Sequence, residues 1–237
     1  MSTLYVVGTP IGNLEDLTMR ALRIFGEVDF ILCEDTRVTH KLLSHYEIKT
    51  PTISYHQHSG DLKIGRIIDL LRSGKNLALV TDAGTPGISD PGGKLVSMVR
   101  QEFAKLEKNH DGIESVKIES VPGPAAITTA VSIAGAGLDR FLFLGFLPNK
   151  KGRQTMLKEI SASEYPVIVY ESKHRIIKLL EELEKFNANK NPYKVTVCRE
   201  LTKMFESVYE GSVAEILAEL MKDQNNLKGE FVVIIKK

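Results

Sequence analysis

Val80-Thr81-Asp82-Ala83-Gly84-Thr85-Pro86-Gly87-Ile88-Ser89-Asp90-Pro91-Gly92-Gly93 is the stretch on which the fold turns. The apolar run Leu77-Ala78-Leu79-Val80 leads into it and has the character of a buried strand. The periodic run Leu95-Val96-Ser97-Met98-Val99-Arg100 leaves it and predicts a helix. Four glycines and two prolines lie between them, and these residues punctuate a chain more strongly than any others. In α/β folds ligands bind in the crevice at the carboxyl ends of strands. Glycine in such a turn lets backbone approach a ligand closely. Asp82 and Asp90 inside the turn argue against a plain phosphate cradle.

The same alternation extends in both directions. Leu4–Gly8 predicts a strand, and Asp16 is a plausible N-cap for a helix carrying Leu17, Ala21, Leu22 and Phe25. Val28–Cys33 predicts a second strand. Helices over Val38–Tyr46 and Leu62–Leu71 flank a strand over Thr52–Tyr55. Asn76–Thr81 is the fourth strand, Lys94–Lys105 a helix, Val116–Val121 a fifth strand, and Lys105–Glu114 a polar surface loop. Such βαβ units predict a largely parallel first sheet. Val121-Pro122-Gly123-Pro124 then breaks the pattern. A small-residue helix follows over Ala125–Ala136, then strands over Arg140–Leu144 and Val167–Tyr170 with a helix over Gln154–Ile160. A helix over Arg175–Phe186 and strands over Tyr193–Arg199, Phe205–Tyr209 and Glu230–Ile235 complete the pattern, with a helix over Val213–Met221. The later strands lie close together and predict antiparallel pairs. The reading is two α/β domains, residues 1–121 and 122–237.

Composition narrows the function classes. The chain has 237 residues, 43% hydrophobic and 26% charged, as expected of a soluble globular enzyme. A formal net charge of +1 gives no global field toward nucleic acid, so any basic patch must be local. Cys33 and Cys198 are the two cysteines. With no CxxC and no Cys/His cluster, no metal site is expected, and a reducing cytoplasm fits. The start, Met1-Ser2-Thr3-Leu4, enters a strand directly and leaves no room for a signal peptide. No apolar run approaches the length of a membrane span. A Rossmann fingerprint fails, because Gly8-Thr9-Pro10-Ile11-Gly12-Asn13 stands in its place. A P-loop fails too: Gly87 to Lys94 is one residue too long, and Leu95 replaces the required Ser or Thr. No GxSxG elbow is present. What remains are Gly/Pro loops at strand ends, Gly8–Asn13, Ala83–Gly93, Pro122–Pro124 and Gly145–Pro148.

Several motifs follow one another in order. They are Thr9-Pro10-Ile11-Gly12-Asn13-Leu14, Glu34-Asp35-Thr36-Arg37, Asp82-Ala83-Gly84-Thr85-Pro86, Asp90-Pro91-Gly92 and Pro122-Gly123-Pro124. Gly145-Phe146-Leu147-Pro148, Tyr170-Glu171-Ser172 with His174-Arg175, Arg199-Glu200-Leu201-Thr202-Lys203, and Lys228-Gly229-Glu230 come after them. Across nearly the whole chain they resemble the tetrapyrrole methylase superfamily, and within it the small-subunit ribosomal RNA ribose methyltransferases. The resemblance implies S-adenosylmethionine as methyl donor and a cytidine ribose 2′-oxygen in the decoding centre of 16S rRNA as acceptor. It also implies two α/β domains with the cofactor cleft between them, and a homodimer. It places Pro10, Gly84, Thr85, Pro86, Ile88, Pro124, Ala125 and Ala126 at the cofactor, with Gly145, Phe146, Leu147, Gly229 and Glu230.

A ribose hydroxyl is a poor nucleophile, so a base or a neighbouring cation is needed. Asp35, Arg37 and Lys203 are the favoured catalytic candidates, with Glu171 and Glu206 behind them. Lys150, Lys151 and Arg153, with Lys158, form the best local basic patch for RNA phosphates. Lys173 and Arg175 follow another strand end, and Asn13 sits in the first loop. Plainer roles stand beside these. Gly84 closes a turn, Phe146 is core, Asp35 and Arg37 form an internal ion pair, and the lysines are a solvated helix start. His56 and His58 share one side of their segment but lack a third metal ligand.

The chain departs from the family pattern in three ways. Its last residue is Lys237, where many members carry a small C-terminal extension. Ser59-Gly60 follows the second histidine where Asn is usual. The segment before Pro122 is longer by roughly a helical turn or two. Methylation of a tetrapyrrole or other small substrate, and non-enzymatic RNA binding, are the alternative functions.

Overall fold

A computed structural model describes residues 1–56, 61–108, 115–135, 138–186 and 193–236. Gln57, His58, Ser59, Gly60, Ala136 and the end of the Lys105–Glu114 loop lie outside the described residues. The chain divides into two units, Met1–Ala125 and Ala126–Lys237.

The first unit is a parallel sheet with helices on both faces. Its strands are β1 (Thr3–Val7), β2 (Phe30–Cys33), β3 (Thr52–Ser54), β4 (Leu77–Leu79) and β5 (Lys117–Val121). They run in the order β3-β2-β4-β1-β5, with every neighbouring pair parallel. Its helices are α1 (Met19–Glu27), α2 (Thr36–His45), α3 (Asp61–Arg72) and α4 (Gly92–Lys108). Alternate strand residues point to opposite faces. Val7, Ile31 and Val80 pack with Phe25 of α1 and Leu43 of α2. Leu4, Leu32, Leu77 and Leu79 pack on the other face with Ile67 of α3 and Val99 of α4. Both faces are covered, so β4 is buried throughout and reads as an unbroken apolar run. The chain leaves β1 for a helix on one face and β4 for a helix on the other. These adjacent strands therefore make a topological switch point, where their carboxyl ends open a crevice.

Local capping moves several expected boundaries. Thr18 rather than Asp16 caps α1, its hydroxyl accepting from the Ala21 N–H at 3.1 Å. Asp16 closes a 3₁₀ turn, Leu14–Asp16, whose cap is Asn13. The helix after β4 begins at Gly92 rather than Lys94, because the Asp90 carboxylate accepts from the Gly92 N–H at 2.7 Å and satisfies a helix-start donor. Pro122-Gly123-Pro124 stays with the first unit, although the expected boundary assigned it to the second. The Gly8 N–H donates to the Val121 carbonyl at 3.0 Å. A Cβ on Gly8 would stand 2.8 Å from the Gly123 Cα, so the two backbones meet only because both residues are glycine.

The second unit contains α5 (Ala126–Ile133), β6 (Leu142–Phe146), α6 (Arg153–Ala162), β7 (Val167–Ser172) and α7 (Ile176–Phe186). It continues through β8 (Lys194–Arg199), β9 (Ser207–Ser212), α8 (Val213–Met221) and β10 (Glu230–Lys236). The sheet order is β6-β7-β10-β8-β9. The β6–β7 pair, bridged by α6, is parallel; the other neighbours are antiparallel. Val169, Val197 and Val233 of the sheet pack with Leu157, Leu180 and Ile216 of the helices. Gly145 and Phe146 lie inside β6 rather than in a loop. A register shift between Phe143 and Gly145, with Gly145 at φ 62°, bends the strand without ending it. β7 likewise runs on through Glu171 and Ser172.

Candidate functional site

The switch point of the first unit is built by three of the Gly/Pro loops. Thr9 and Gly84 form an isolated antiparallel bridge, with paired N–H···O=C bonds of 2.9 and 3.1 Å. The Thr9 hydroxyl lies within donating distance of the Thr81 carbonyl at 3.2 Å and the Gly84 carbonyl at 3.3 Å. The Thr85 hydroxyl donates to the Pro124 carbonyl at 3.0 Å and ties in the third loop. Gly84 holds φ 85°, and a Cβ there would stand 3.3 Å from Ile11 and 3.6 Å from the Pro124 carbonyl. Pro10, Gly84, Thr85, Pro86, Ile88, Pro124 and Ala125 are thus grouped at or beside one crevice by main-chain bonding. The Asp90 carboxylate also accepts from the Gly87 N–H at 2.9 Å, which fixes the far side of the loop.

The Glu34–Arg37 motif follows β2 at the same end of the sheet. Asp35 caps α2, accepting from the Arg37 N–H at 2.8 Å. Its carboxylate also takes a bidentate fork from the Arg37 guanidinium, at 3.1 Å from Nε and 2.7 Å from Nη2. The Arg37 side chain holds the Asp35 carboxyl down to about 2. That value makes Asp35 a weak proton acceptor, so the general-base role expected of it does not fit; Asp35 is a cap and an anchor. Its lowered pKa contributes stability above the ordinary carboxylate range, and that contribution is lost as pH falls through about 2. NMR titration of the Asp35 side chain is expected to show it ionised throughout the range where exposed carboxylates protonate. Glu34 behaves oppositely. Partial burial, then the charges of Asp82 and Asp90, push its carboxyl up. Two adjacent carboxylates with pKa values driven apart are a common acid/base arrangement, and here Glu34 is the one able to hold a proton. Sequence order had singled out Asp35; the charges that add to the burial of Glu34 come from Asp82 and Asp90, brought in by the loop after β4.

In the second unit, the Ile127 N–H donates to the Tyr170 hydroxyl oxygen at 3.0 Å, placing the start of α5 beside β7. The rings of Phe143 and Phe146 meet Tyr170 edge-on at 5.0 and 5.5 Å. Arg175 lies 6.0 Å from the Phe146 ring centre. Phe146 is 51% exposed and is therefore not the core residue it resembles in sequence. Leu147 is buried and presents its carbonyl, which accepts from Arg175 Nη1 at 2.8 Å.

Two residues expected to face RNA are engaged elsewhere. Arg153 is 3% exposed. It donates to Glu182 at 2.8 Å and to the Pro148 carbonyl at 3.2 Å, and lies 3.9 Å from the fully buried Glu171 carboxylate. Arg175 pairs with Glu171 at 2.8 Å and donates to Asn149 at 2.6 Å. Arg153 is thus removed from the phosphate-binding set, and Arg175 is largely spent on structure. Burial pushes the Glu171 carboxyl up even with both guanidiniums beside it. Lys150, Lys151 and Lys173 remain exposed, with no ion pair among the described residues. Asn13 is exposed and its side chain accepts from the Glu15 N–H at 3.1 Å.

The Arg199–Lys203 and Lys228–Glu230 motifs lock together. Arg199 donates to the carbonyls of Lys228, Phe205 and Asn225 at 2.7, 2.9 and 2.7 Å. Lys203 bridges Glu200 at 2.9 Å and Glu230 at 2.7 Å. A Cβ on Gly229 would run into the Glu200 side chain. Partial burial works against the Lys203 charge, but hydrogen bonds to Glu230 and Glu200 outweigh it and raise its pKa. Lys203 is a held cation, and the base role does not fit it. Thr202, a β-branched residue at φ 65°, and Glu200 at φ 50° mark this loop as strained. Among the described residues no cluster of three His, Cys, Asp or Glu could hold a metal. Among the same residues no helix is long and apolar enough to cross a membrane.

An α/β unit with its loops gathered at a parallel switch point, followed by a mixed-sheet unit, defines a class. The sequence profile of the tetrapyrrole (corrin/porphyrin) methylases matches residues 3–217, and the chain belongs to that family. Its fold is shared by a cobalt precorrin-4 methyltransferase at a TM-score of 0.63, with 17% identity, covering 98% of this chain and 94% of that one. It is shared equally by the uroporphyrin-III C-methyltransferase of Thermus thermophilus, solved with S-adenosylhomocysteine, at 0.63 and 17%, covering 99% and 97%. Much nearer in sequence is the protein named ribosomal RNA small subunit methyltransferase I. The chain is 43% identical over 234 residues to that protein from Pasteurella multocida, covering 98% of this chain and 78% of the relative. It is 39% identical over 235 residues to its Thermotoga maritima counterpart, covering 99% and 98%.

Proposed function

We propose that this chain is an S-adenosylmethionine-dependent methyltransferase acting on a cytidine ribose 2′-oxygen in the decoding centre of 16S rRNA. The observation that carries the reading is the 43% and 39% identity, across nearly the whole of this chain, to proteins named as small-subunit rRNA methyltransferases. The switch-point loops suit the cofactor: Gly84 and Gly87 offer backbone without side chains, and Asp82 and Asp90 supply negative charge suited to a sulfonium. Pro10, Gly84, Thr85, Pro86, Ile88, Pro124, Ala125 and Ala126 are its proposed holders, with Gly145, Phe146, Leu147, Gly229 and Glu230. S-adenosylmethionine supplies an already electrophilic methyl group, so the protein's task is chiefly alignment, worth several kcal/mol of barrier. Glu34 accepts the proton that the ribose hydroxyl gives up as its oxygen is methylated. Arg37 and Lys203 act as fixed cations rather than as bases. A homodimer and a cytoplasmic setting belong to the same reading.

Labelled methyl transfer to 30S subunits lacking ribose methylation, to free rRNA and to a porphyrinogen tests the assignment. Label in ribosomal RNA alone is expected; label in the porphyrinogen alone would reject it. Lys150 and Lys151 are the proposed phosphate contacts. Lys150→Glu with Lys151→Glu is expected to weaken RNA binding and flatten the slope of log affinity against log salt by about 2. An unchanged slope would remove that patch from the interface.

A further inference from the structure

We propose that a cavity of about 170 Å³ in the first unit receives the nucleobase of the acceptor, a single pyrimidine turned out of its RNA stack. The proposal rests on the ribose-methylation reading and adds the place where the acceptor is recognised. The cavity lies between the carboxyl ends of β1 and β4 and helix α2. Pro10, Leu14, Val38 and Leu42 wall it, while Lys41 and Asp82 supply its charged groups.

Size selects the occupant. An engineered apolar cavity of about 150 Å³ admits benzene, so this one takes one aromatic ring, and a four-ring macrocycle does not fit. The walls are apolar and partly open: Leu14 is 38% and Val38 40% exposed, as expected where a flat ring is to be sandwiched. The Tyr46 hydroxyl donates to the Leu14 carbonyl at 2.5 Å, pinning that wall to the end of α2. One Asp82 oxygen accepts from the Asp35 N–H at 3.0 Å. The other is open to the exocyclic amine of cytosine, the group a carboxylate reads in that base. Lys41 has no ion pair among the described residues and lies one helical turn from Arg37, which suits the phosphates on either side of an extruded nucleotide. Pro10 and Asp82 also border the proposed cofactor loop, so a base seated here brings its own ribose toward the methyl donor.

Val38→Phe fills the cavity from an exposed position. It is expected to lower kcat/KM for methyl transfer to 30S subunits by about tenfold to a hundredfold, with S-adenosylmethionine affinity by calorimetry unchanged. Asp82→Asn keeps the acceptor for the Asp35 N–H but offers an amide to the base. It is expected to narrow the preference for cytidine over uridine at the target by about tenfold. Transfer by the unaltered chain together with an unchanged kcat/KM in Val38→Phe and an unchanged base preference in Asp82→Asn overturns the pocket alone. No transfer to ribosomal RNA by the unaltered chain overturns the pocket and the reading beneath it.

Discussion

Gly84→Arg is expected to abolish S-adenosylmethionine binding while leaving the protein folded. Gly84 occupies φ 85° and is buried, a conformation that costs an L-residue roughly 1–3 kcal/mol. Its N–H and C=O both pair with Thr9, so the backbone cannot relax without breaking the bridge that joins two site loops. A side chain there starts 3.3 Å from Ile11 and 3.6 Å from the Pro124 carbonyl. Arginine must therefore project through the space the loops enclose, and it adds a positive charge where a sulfonium is to bind. Isothermal calorimetry should show no saturable heat, with far-ultraviolet circular dichroism retained. Gly84→Ala carries the strain without the bulk and should bind weakly. Wild-type affinity in the arginine variant would place the cofactor elsewhere.

Arg153→Leu is expected to cost about 3–5 kcal/mol of stability, the range seen when one partner of a buried ion pair is removed. That is a large share of the ~5–15 kcal/mol by which proteins are folded. The guanidinium is the shared partner of Glu182 and the fully buried Glu171. Without it the Glu171 carboxylate keeps Arg175 as a charged partner at 2.8 Å and the Ser172 N–H as a neutral donor at 2.8 Å. The sign with pH follows from the raised Glu171 pKa. A carboxyl raised on folding contributes stability below its unfolded pKa, and the contribution is lost as pH rises through the folded value. Loss of a cation raises it further. Urea unfolding should therefore show the deficit of Arg153→Leu shrinking as pH falls from neutral toward the ordinary carboxylate range, about 4.3. A pH-independent deficit below about 1 kcal/mol would mean Arg153 is the surface phosphate ligand its sequence context suggests.

These two residues show what the sequence could and could not disclose. The strand, turn and helix around Gly84 were legible because apolar runs and glycines act locally. The alternation of β and α elements through β5 and the antiparallel character of the later strands were legible for the same reason. Arg153 was misread because Lys150-Lys151-Gly152-Arg153 looks like one charged surface, while its burial depends on Glu171 and Glu182 from β7 and α7. For Lys203 the sequence left base and cation open: the partner Glu230 that holds it as a cation lies 27 positions away. Gly145 looked like a loop residue because a bulge and a turn draw on the same amino acid. Pro122–Pro124 looked like a domain boundary, but contact with Gly8 holds it to the first sheet. Asp35 and Arg37 form a pair visible in the sequence, yet only their geometry turns the carboxylate into an anchor and leaves Glu34 as the proposed proton acceptor.

Nucleoside analysis of 30S subunits methylated in vitro tests the central claim most directly. Ribosomal RNA labelled by the unaltered chain and S-adenosylmethionine would be digested with alkali, which spares any linkage whose 2′-oxygen is methylated. Label confined to one alkali-resistant dinucleotide that yields 2′-O-methylcytidine is the predicted result. Label released as a base-methylated mononucleotide, or no label in the RNA, would contradict it.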